Sequence, residues 1–187
     1  MYESLQIPWS PHPAPRESAY RSAGLVKTKG TIFLLPPSPK ELRNAYLAPP
    51  RPQSATSAGA VALCKHFERG DASSEHGGAH PFWTLPKGSN AAKDEIALGI
   101  LEEMLEDVEG RGGRWRNVIL LHPGVAVYEI RGRRRWGMRW TLDVEAVGED
   151  GDGGRETGEA RGQDAVRERE WRVKKVTFRG FWSRLRV

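Results

Sequence analysis

The stretch from Phe82 to Gly110 constrains the fold more than any other part of this chain. It begins with a strand-like apolar and aromatic run, breaks at Pro86-Lys87-Gly88, crosses a short polar loop and continues as an amphipathic helix closed by Gly110. Asp94 and Glu95 stand near the predicted helix start, where carboxylates meet the positive end of the helix dipole. One helix face is apolar and suited to packing on a sheet; its members are Ile96, Ala97, Ile100, Leu101, Met104, Leu105 and Val108.

The opposite face of the predicted helix is acidic. Glu103, Glu106 and Asp107 stand at positions i, i+3 and i+4, so their carboxylates are expected to be neighbours. Such a cluster of oxygen ligands suits a hard divalent cation, Mg²⁺ or Mn²⁺. Gly99 lies on the same side, and because glycine inside a helix costs about 1 kcal/mol relative to alanine, we interpret it as room for a ligand. The alternative interpretation is a solvated polar face.

The order of these pieces resembles the Nudix box. The family pattern is Gly, five residues, Glu, seven residues, Arg-Glu, an aliphatic residue, any residue, Glu-Glu, any residue and Gly. Here Gly88 is followed by five residues and Asp94, and then by seven residues and the run from Glu102 to Asp107. The spacing holds without a gap. Asp94 and Asp107 replace Glu, Glu102 stands where the family has Arg, and Glu109 occupies the position of the last Gly.

The resemblance implies an α/β fold, the Nudix-like α/β/α sandwich, with a mixed β-sheet and one central amphipathic helix. It implies a metal-dependent hydrolase that uses Mg²⁺ or Mn²⁺ to cleave a diphosphate linkage in a nucleoside diphosphate derivative or a related polyphosphate. Glu103 and Glu106 would be catalytic, and Glu103, Glu106 and Asp107 would hold the metal. The small phosphorylated substrate is expected to meet Lys87, Gly88, Arg133, Arg135 and Arg139, since guanidinium groups match phosphate oxygens. For the arginines, a solvated hairpin tip is the alternative interpretation.

Two alternatives keep different parts of this interpretation. With Glu102 in place of Arg, the domain would be catalytically degenerate and would bind a nucleotide or a protein without cleaving it. A basic nucleic-acid-binding module is the other alternative, in which tryptophans near arginines, as from Arg133 to Trp140, stack on single strands. The net charge of +5 suits either, because residues 94–109 hold seven acids and no base, which leaves the rest of the chain strongly basic.

The chain is predicted to divide into an extension and a domain. Residues 1–56 hold ten of the thirteen prolines and are predicted to be a Pro-rich, partly ordered N-terminal extension, followed by a domain over residues 57–187. Within the extension we expect one or two short strands from Ala23 to Leu35 and a helical turn from Pro39 to Tyr46. The small apolar run from Ser57 to Cys64 is predicted to be the first strand of the core.

The sequence after the box is predicted to be rich in strands. Residues Asn117 to Ile130 form a strand, a Pro-Gly turn and a second strand, which pairs with Trp136 to Val147 as a hairpin. Residues 148–167 are predicted to be a flexible loop. A late strand is expected from Glu168 to Phe178, and a last helix is expected to start at Phe181.

Composition limits the compartment and the partners. No apolar run approaches the roughly 20 residues that span a bilayer, so we expect no membrane partner. Cys64 is the single cysteine, which excludes an internal disulfide and suits a reducing compartment. We therefore expect a cytoplasmic protein.

Overall fold

The computed structural model describes residues 13–71, 86–106, 115–122, 125–131, 136–147 and 170–183. The helices in these ranges are α1 (Pro13–Ser22), α2 (Pro39–Leu47), α3 (Ala58–Asp71) and α4 (Asn90–Glu106). The strands are β1 (Trp115–His122), β2 (Val125–Arg131), β3 (Trp136–Val147) and β4 (Glu170–Ser183). None of the helices in these ranges is both long and apolar enough to cross a membrane.

The four strands form one antiparallel sheet in the order β1-β2-β3-β4. The predicted hairpin is confirmed, because Ala126 pairs with Leu142 and Arg131 pairs with Gly137. The predicted mixed sheet is wrong for the described strands, since each one pairs antiparallel with the next along the chain. Such pairs need only a short connection, whereas a parallel pair needs a crossover.

The segment from Ser57 to Cys64, predicted to be a strand, forms the start of α3. The Ser57 side chain accepts a hydrogen bond from the Ala60 backbone N–H at 3.1 Å, which caps the first turn of the helix. Gly59 then allows α3 to lie against α2, because a Cβ atom at Gly59 would stand 2.0 Å from the Tyr46 ring. A short apolar run is compatible with either structure, and here contacts with other helices decide for α3, which the Ser57 cap then stabilises.

The part of the Pro-rich segment that the structure describes is folded onto the sheet. The predicted turn at Pro39 is a nine-residue helix, α2, which starts with a capping box between Ser38 and Glu41. The predicted strands after Ala23 reduce to a single bridge between Thr31 and Ile119, at the outer edge of β1, to which Val26 and Ile32 also donate backbone hydrogen bonds. Side chains from this segment that are buried in the main core are Tyr20, Leu25, Ile32, Leu42 and Tyr46.

The main core lies between the helices and one face of the sheet, which we call the core face. Trp140 is fully buried there, touches the rings of Tyr128 and Phe178, and donates its indole N–H to the Leu42 carbonyl at 3.3 Å. Helices α2 and α3 contact β4, and α4 contacts α2 and α3. The sheet residues that contribute to the core are Val118, Ala126, Tyr128, Ile130, Met138, Trp140, Leu142, Phe178 and Phe181.

The last strand is longer than predicted. The late strand is confirmed, but β4 continues to Ser183, so the helix predicted to start at Phe181 is wrong. Phe181 pairs with Met138 in the sheet and packs edge-on against Phe178, which keeps the chain extended. The flexible loop predicted at 148–167 lies outside the described residues, as does the strand-like run from Phe82 to Leu85.

Candidate functional site

The predicted break before the central helix is confirmed. Gly88 has a φ of +92°, in the left-handed region that favours glycine. Ser89 then caps α4, since its side chain accepts a hydrogen bond from the Ala92 N–H at 3.2 Å and its carbonyl accepts one from Lys93 at 3.0 Å. The helix therefore begins at Asn90, four residues before Asp94. Lys87 and Gly88 are exposed at this turn.

Asp94 connects α4 to the start of α3, and it does not lie in the first turn of α4. Its carboxylate accepts a hydrogen bond of 2.9 Å from the Ser57 backbone N–H, beside the first turn of α3. One turn further along α4, the Ala97 carbonyl accepts a hydrogen bond of 2.9 Å from the Tyr46 hydroxyl. Burial, and secondarily the Asp94 charge, raise the pKa of Tyr46, so the hydroxyl remains a donor. These two bonds fix α4 relative to α3 and α2.

The two faces of α4 follow the predicted division. The apolar face is confirmed by the burial of Ala97, Ile100, Leu101, Met104 and Leu105. The opposite face exposes Glu103 and Glu106, with Gly99 on the same side. A Cβ atom placed at Gly99 would meet nothing within 4 Å, so the helix surface there is open.

Glu102, at the position where the Nudix family has Arg, is paired with an arginine from another helix. Arg43 of α2 donates two hydrogen bonds to it, Nε to Oε1 and Nη2 to Oε2, both 2.6 Å long. These bonds, and then the Arg43 charge, lower the pKa of Glu102 below its ordinary value. The charge of Glu102 is therefore neutralised by Arg43.

The Arg43–Glu102 pair should contribute modestly to the free energy of unfolding, and only above acidic pH. The side chains are 40% and 35% exposed, so we expect a coupling energy of roughly 0.2–1 kcal/mol at neutral pH. Because the pKa of Glu102 is lower in the folded protein, this contribution is present above pH 4.5 and is lost as the pH falls through the folded-state pKa. Urea unfolding of wild type, Arg43→Gln, Glu102→Gln and the double variant at pH 7 and pH 3 measures it. An undiminished coupling at pH 3 would contradict this assignment.

Glu103 and Glu106 are suited to bind a divalent cation. They lie three residues apart on the exposed face of α4, where carboxylate oxygens and solvent provide the hard ligands that Mg²⁺ prefers. Asp107, the third predicted ligand, lies outside the described residues. Within the described ranges no group of three or more His, Cys, Asp or Glu side chains is close enough to hold a metal. The described part of this face therefore carries two acids, Glu103 and Glu106.

Lys87, Gly88 and Arg139, the predicted substrate-binding residues that the structure describes, are not brought together with these acids. Lys87 and Gly88 precede the start of α4, and Glu103 lies thirteen residues after Asn90, about 20 Å along the helix axis. Arg139 lies on the sheet face opposite the core face, where it is paired with Glu129. Arg133 and Arg135 lie outside the described residues. The described site is therefore the acidic face of α4 with Arg43 behind it.

The sequence did not single out Arg43 or Glu129. Arg43 reaches a partner 59 residues away, and no local pattern signals such a contact. For Glu129 a signal existed, since it is the one acid in β2 and stands two residues from Arg131. No protein-family model matches this chain, and neither does any curated protein or solved structure. The interpretation of the site therefore depends on its residues and their contacts.

Proposed function

We propose that this chain is a Nudix-like, metal-dependent hydrolase of a diphosphate linkage in a nucleoside diphosphate derivative or a related polyphosphate. The observation that carries the proposal is the arrangement of α4: Glu103 and Glu106 face solvent beside the open surface at Gly99, while Arg43 holds Glu102. A polyphosphate can approach this face without a steric barrier from Gly99. The neutralised Glu102 adds little repulsion against it.

The roles of the residues follow from their chemistry. Glu103 and Glu106, with Asp107, would hold Mg²⁺ or Mn²⁺, which supplies Lewis-acid stabilisation of charge on the phosphate oxygens. Glu103 would also accept the proton of the attacking water, since an exposed carboxylate in hydrogen-bond reach of that water is a suitable base. Arg43, by holding Glu102, orients the turn of α4 that carries Glu103. Arg139 has no place in this scheme because it lies on the other face of the sheet.

The proposed fold is the Nudix-like α/β/α sandwich built around α4. The core face carries α2 and α3, which contact β4, and α4 packs against both of these helices. On the opposite face of the sheet, the segment around Thr28 lies over the edge strand β1, where the Asn117 amide donates a hydrogen bond to the Thr28 hydroxyl at 2.6 Å. This contact supports a second layer at that edge of the sheet.

The proposed activity is tested by phosphate release from a panel of substrates. Nucleoside diphosphate sugars, dinucleoside polyphosphates and nucleoside triphosphates are incubated with purified protein and Mg²⁺ or Mn²⁺, with and without EDTA. We expect turnover of at least one class that EDTA abolishes and fresh metal restores. Absence of turnover by protein that unfolds cooperatively would overturn the proposal in favour of a binding domain, and metal-independent turnover would overturn the assigned mechanism.

A further inference from the structure

The sheet face opposite the core face, which we call the second face, carries a cross-strand row of aromatic and basic residues. Trp115 pairs with Arg131, Arg131 with Gly137, and Gly137 with Trp182, so these four residues form one row across the sheet. The Arg131 guanidinium lies 4.1 Å from the centre of the Trp115 ring and 4.2 Å from that of Trp182. The arginine is therefore held between two indoles.

Gly137 makes this stack possible. A Cβ atom at Gly137 would stand 2.6 Å from the Trp182 indole nitrogen and 2.3 Å from the Ile130 carbonyl oxygen. Without a side chain on Gly137, Trp182 lies across β3 and reaches Arg131 on β2. The Trp182 ring also receives a second guanidinium, that of Arg139, at 4.7 Å.

The neighbouring row places a buried carboxylate beneath these arginines. Glu129 is fully buried and accepts hydrogen bonds from Arg131, at 2.9 Å from Nε and 2.6 Å from Nη2, and from Nε of Arg139. The arginine side chains stay 26% and 23% exposed. Two guanidiniums against one carboxylate leave a net positive charge, and the cations rather than the anion reach the surface.

Several hydrogen-bonding groups in this cluster have no partner within the described part of the chain. The Trp182 indole N–H is buried without an acceptor, and the buried Asn117 carbonyl oxygen, beside Glu129 in the register, lacks a donor. Both Nη atoms of Arg139 are unpaired in the described contacts. Gly180, opposite Arg139 in the sheet, leaves open space, since a Cβ atom there would meet nothing within 4 Å. Buried polar groups are normally satisfied, so these atoms point to a ligand or water.

We propose that this cluster is a binding site for single-stranded nucleic acid. The Nη atoms of Arg139, which have no partner among the described residues, match a phosphate in a bidentate way, and the open space at Gly180 admits the backbone beside them. The partly exposed indole of Trp115 provides a surface on which a base stacks beside Arg131, which favours flexible single strands over duplexes. Glu129 orients the guanidinium planes of Arg131 and Arg139 and does not itself contact the ligand. This site lies across the sheet from Glu103 and is independent of the proposed hydrolase activity.

The test is binding of a labelled oligouridylate of about 12 nucleotides, a length within the usual range of single-strand sites, measured by fluorescence anisotropy in EDTA. The main variant is Glu129→Gln with Arg139→Gln, which removes both charges together and so avoids leaving a buried carboxylate unpaired. The matched control is Glu17→Gln with Arg21→Gln, which removes the same two charges from the exposed pair on α1. Cooperative thermal unfolding confirms that each variant is folded.

We expect saturable, salt-sensitive binding by wild type that is tighter for the single strand than for a duplex of equal length. The main variant should weaken binding roughly tenfold, which is the size expected when one stacked, phosphate-pairing contact is lost. The affinity of the control variant should stay within about twofold of wild type. If the double variant does not fold, Arg139→Lys replaces it, since it keeps the charge and should still weaken binding by losing the planar stack. No binding by wild type, equal affinity for duplex, or equal losses in variant and control would each overturn the proposal.

Discussion

Replacing Trp140 with alanine is expected to lower the free energy of unfolding by about 3–5 kcal/mol, because the change opens a large cavity in the core. Trp140 is fully buried on the core face, lies against Tyr128 and Phe178, and binds the Leu42 carbonyl of α2. The truncation therefore removes packing between the sheet and α2 and also removes the hydrogen bond from the indole to the Leu42 carbonyl. Urea unfolding followed by far-ultraviolet circular dichroism measures the loss without relying on tryptophan fluorescence.

The control for this prediction is Leu35→Ala. Leu35 is 58% exposed, so its truncation should change the free energy of unfolding by no more than about 0.5 kcal/mol. A loss below about 1 kcal/mol for Trp140→Ala would contradict the placement of Trp140 in the centre of the core. A change in the denaturant slope would instead indicate that the variant no longer unfolds in two states.

Replacing Glu106 or Glu103 with glutamine is expected to lower metal-dependent turnover by roughly 100-fold or more, the size expected when a general base or its equivalent is lost. Glutamine keeps the shape of the side chain and removes the negative charge that would hold the cation. Both side chains are exposed, so stability should change little, and the loss should appear in kcat rather than in the unfolding curve. Steady-state phosphate release at saturating Mg²⁺, with thermal unfolding of the same samples, separates the two effects.

The matched control for the catalytic variants is Asp143→Asn, which removes an exposed carboxylate from β3. It should keep turnover within about twofold of wild type, because a single surface charge away from the site has a small effect. Full activity in Glu103→Gln and Glu106→Gln alike would show that the hydrolysis does not use the acidic face of α4. That outcome would leave the nucleic-acid site on the second face untouched, since binding there is measured without metal.

Local signals in the sequence were sufficient for the elements whose structure depends on near neighbours. The break at Gly88, the apolar face of α4 and the hairpin of β2 and β3 were all predicted from turn chemistry and from hydrophobic periodicity. These features need only residues a few positions apart. The same signals predicted which face of α4 would be acidic and exposed.

The error at Ser57 shows where local signals stop. A run of small apolar residues fits a buried strand as well as a helix, and the deciding contacts come from elsewhere in the chain. They are the Asp94 carboxylate on the Ser57 N–H and the Tyr46 ring against Gly59. Both partners belong to other helices, so the helical state of α3 was settled by tertiary packing.

By itself the sequence determined the positions of α4 and the hairpin and the acidic character of the candidate site, because turn residues and periodicity act over a few residues. Only the tertiary structure decided that Arg43 neutralises Glu102 and that Arg139 lies across the sheet from α4. It also decided that Trp115, Arg131 and Trp182 form one stack. These pairings join residues far apart in the chain, and their geometry exists only once the strands are in register and the helices are packed.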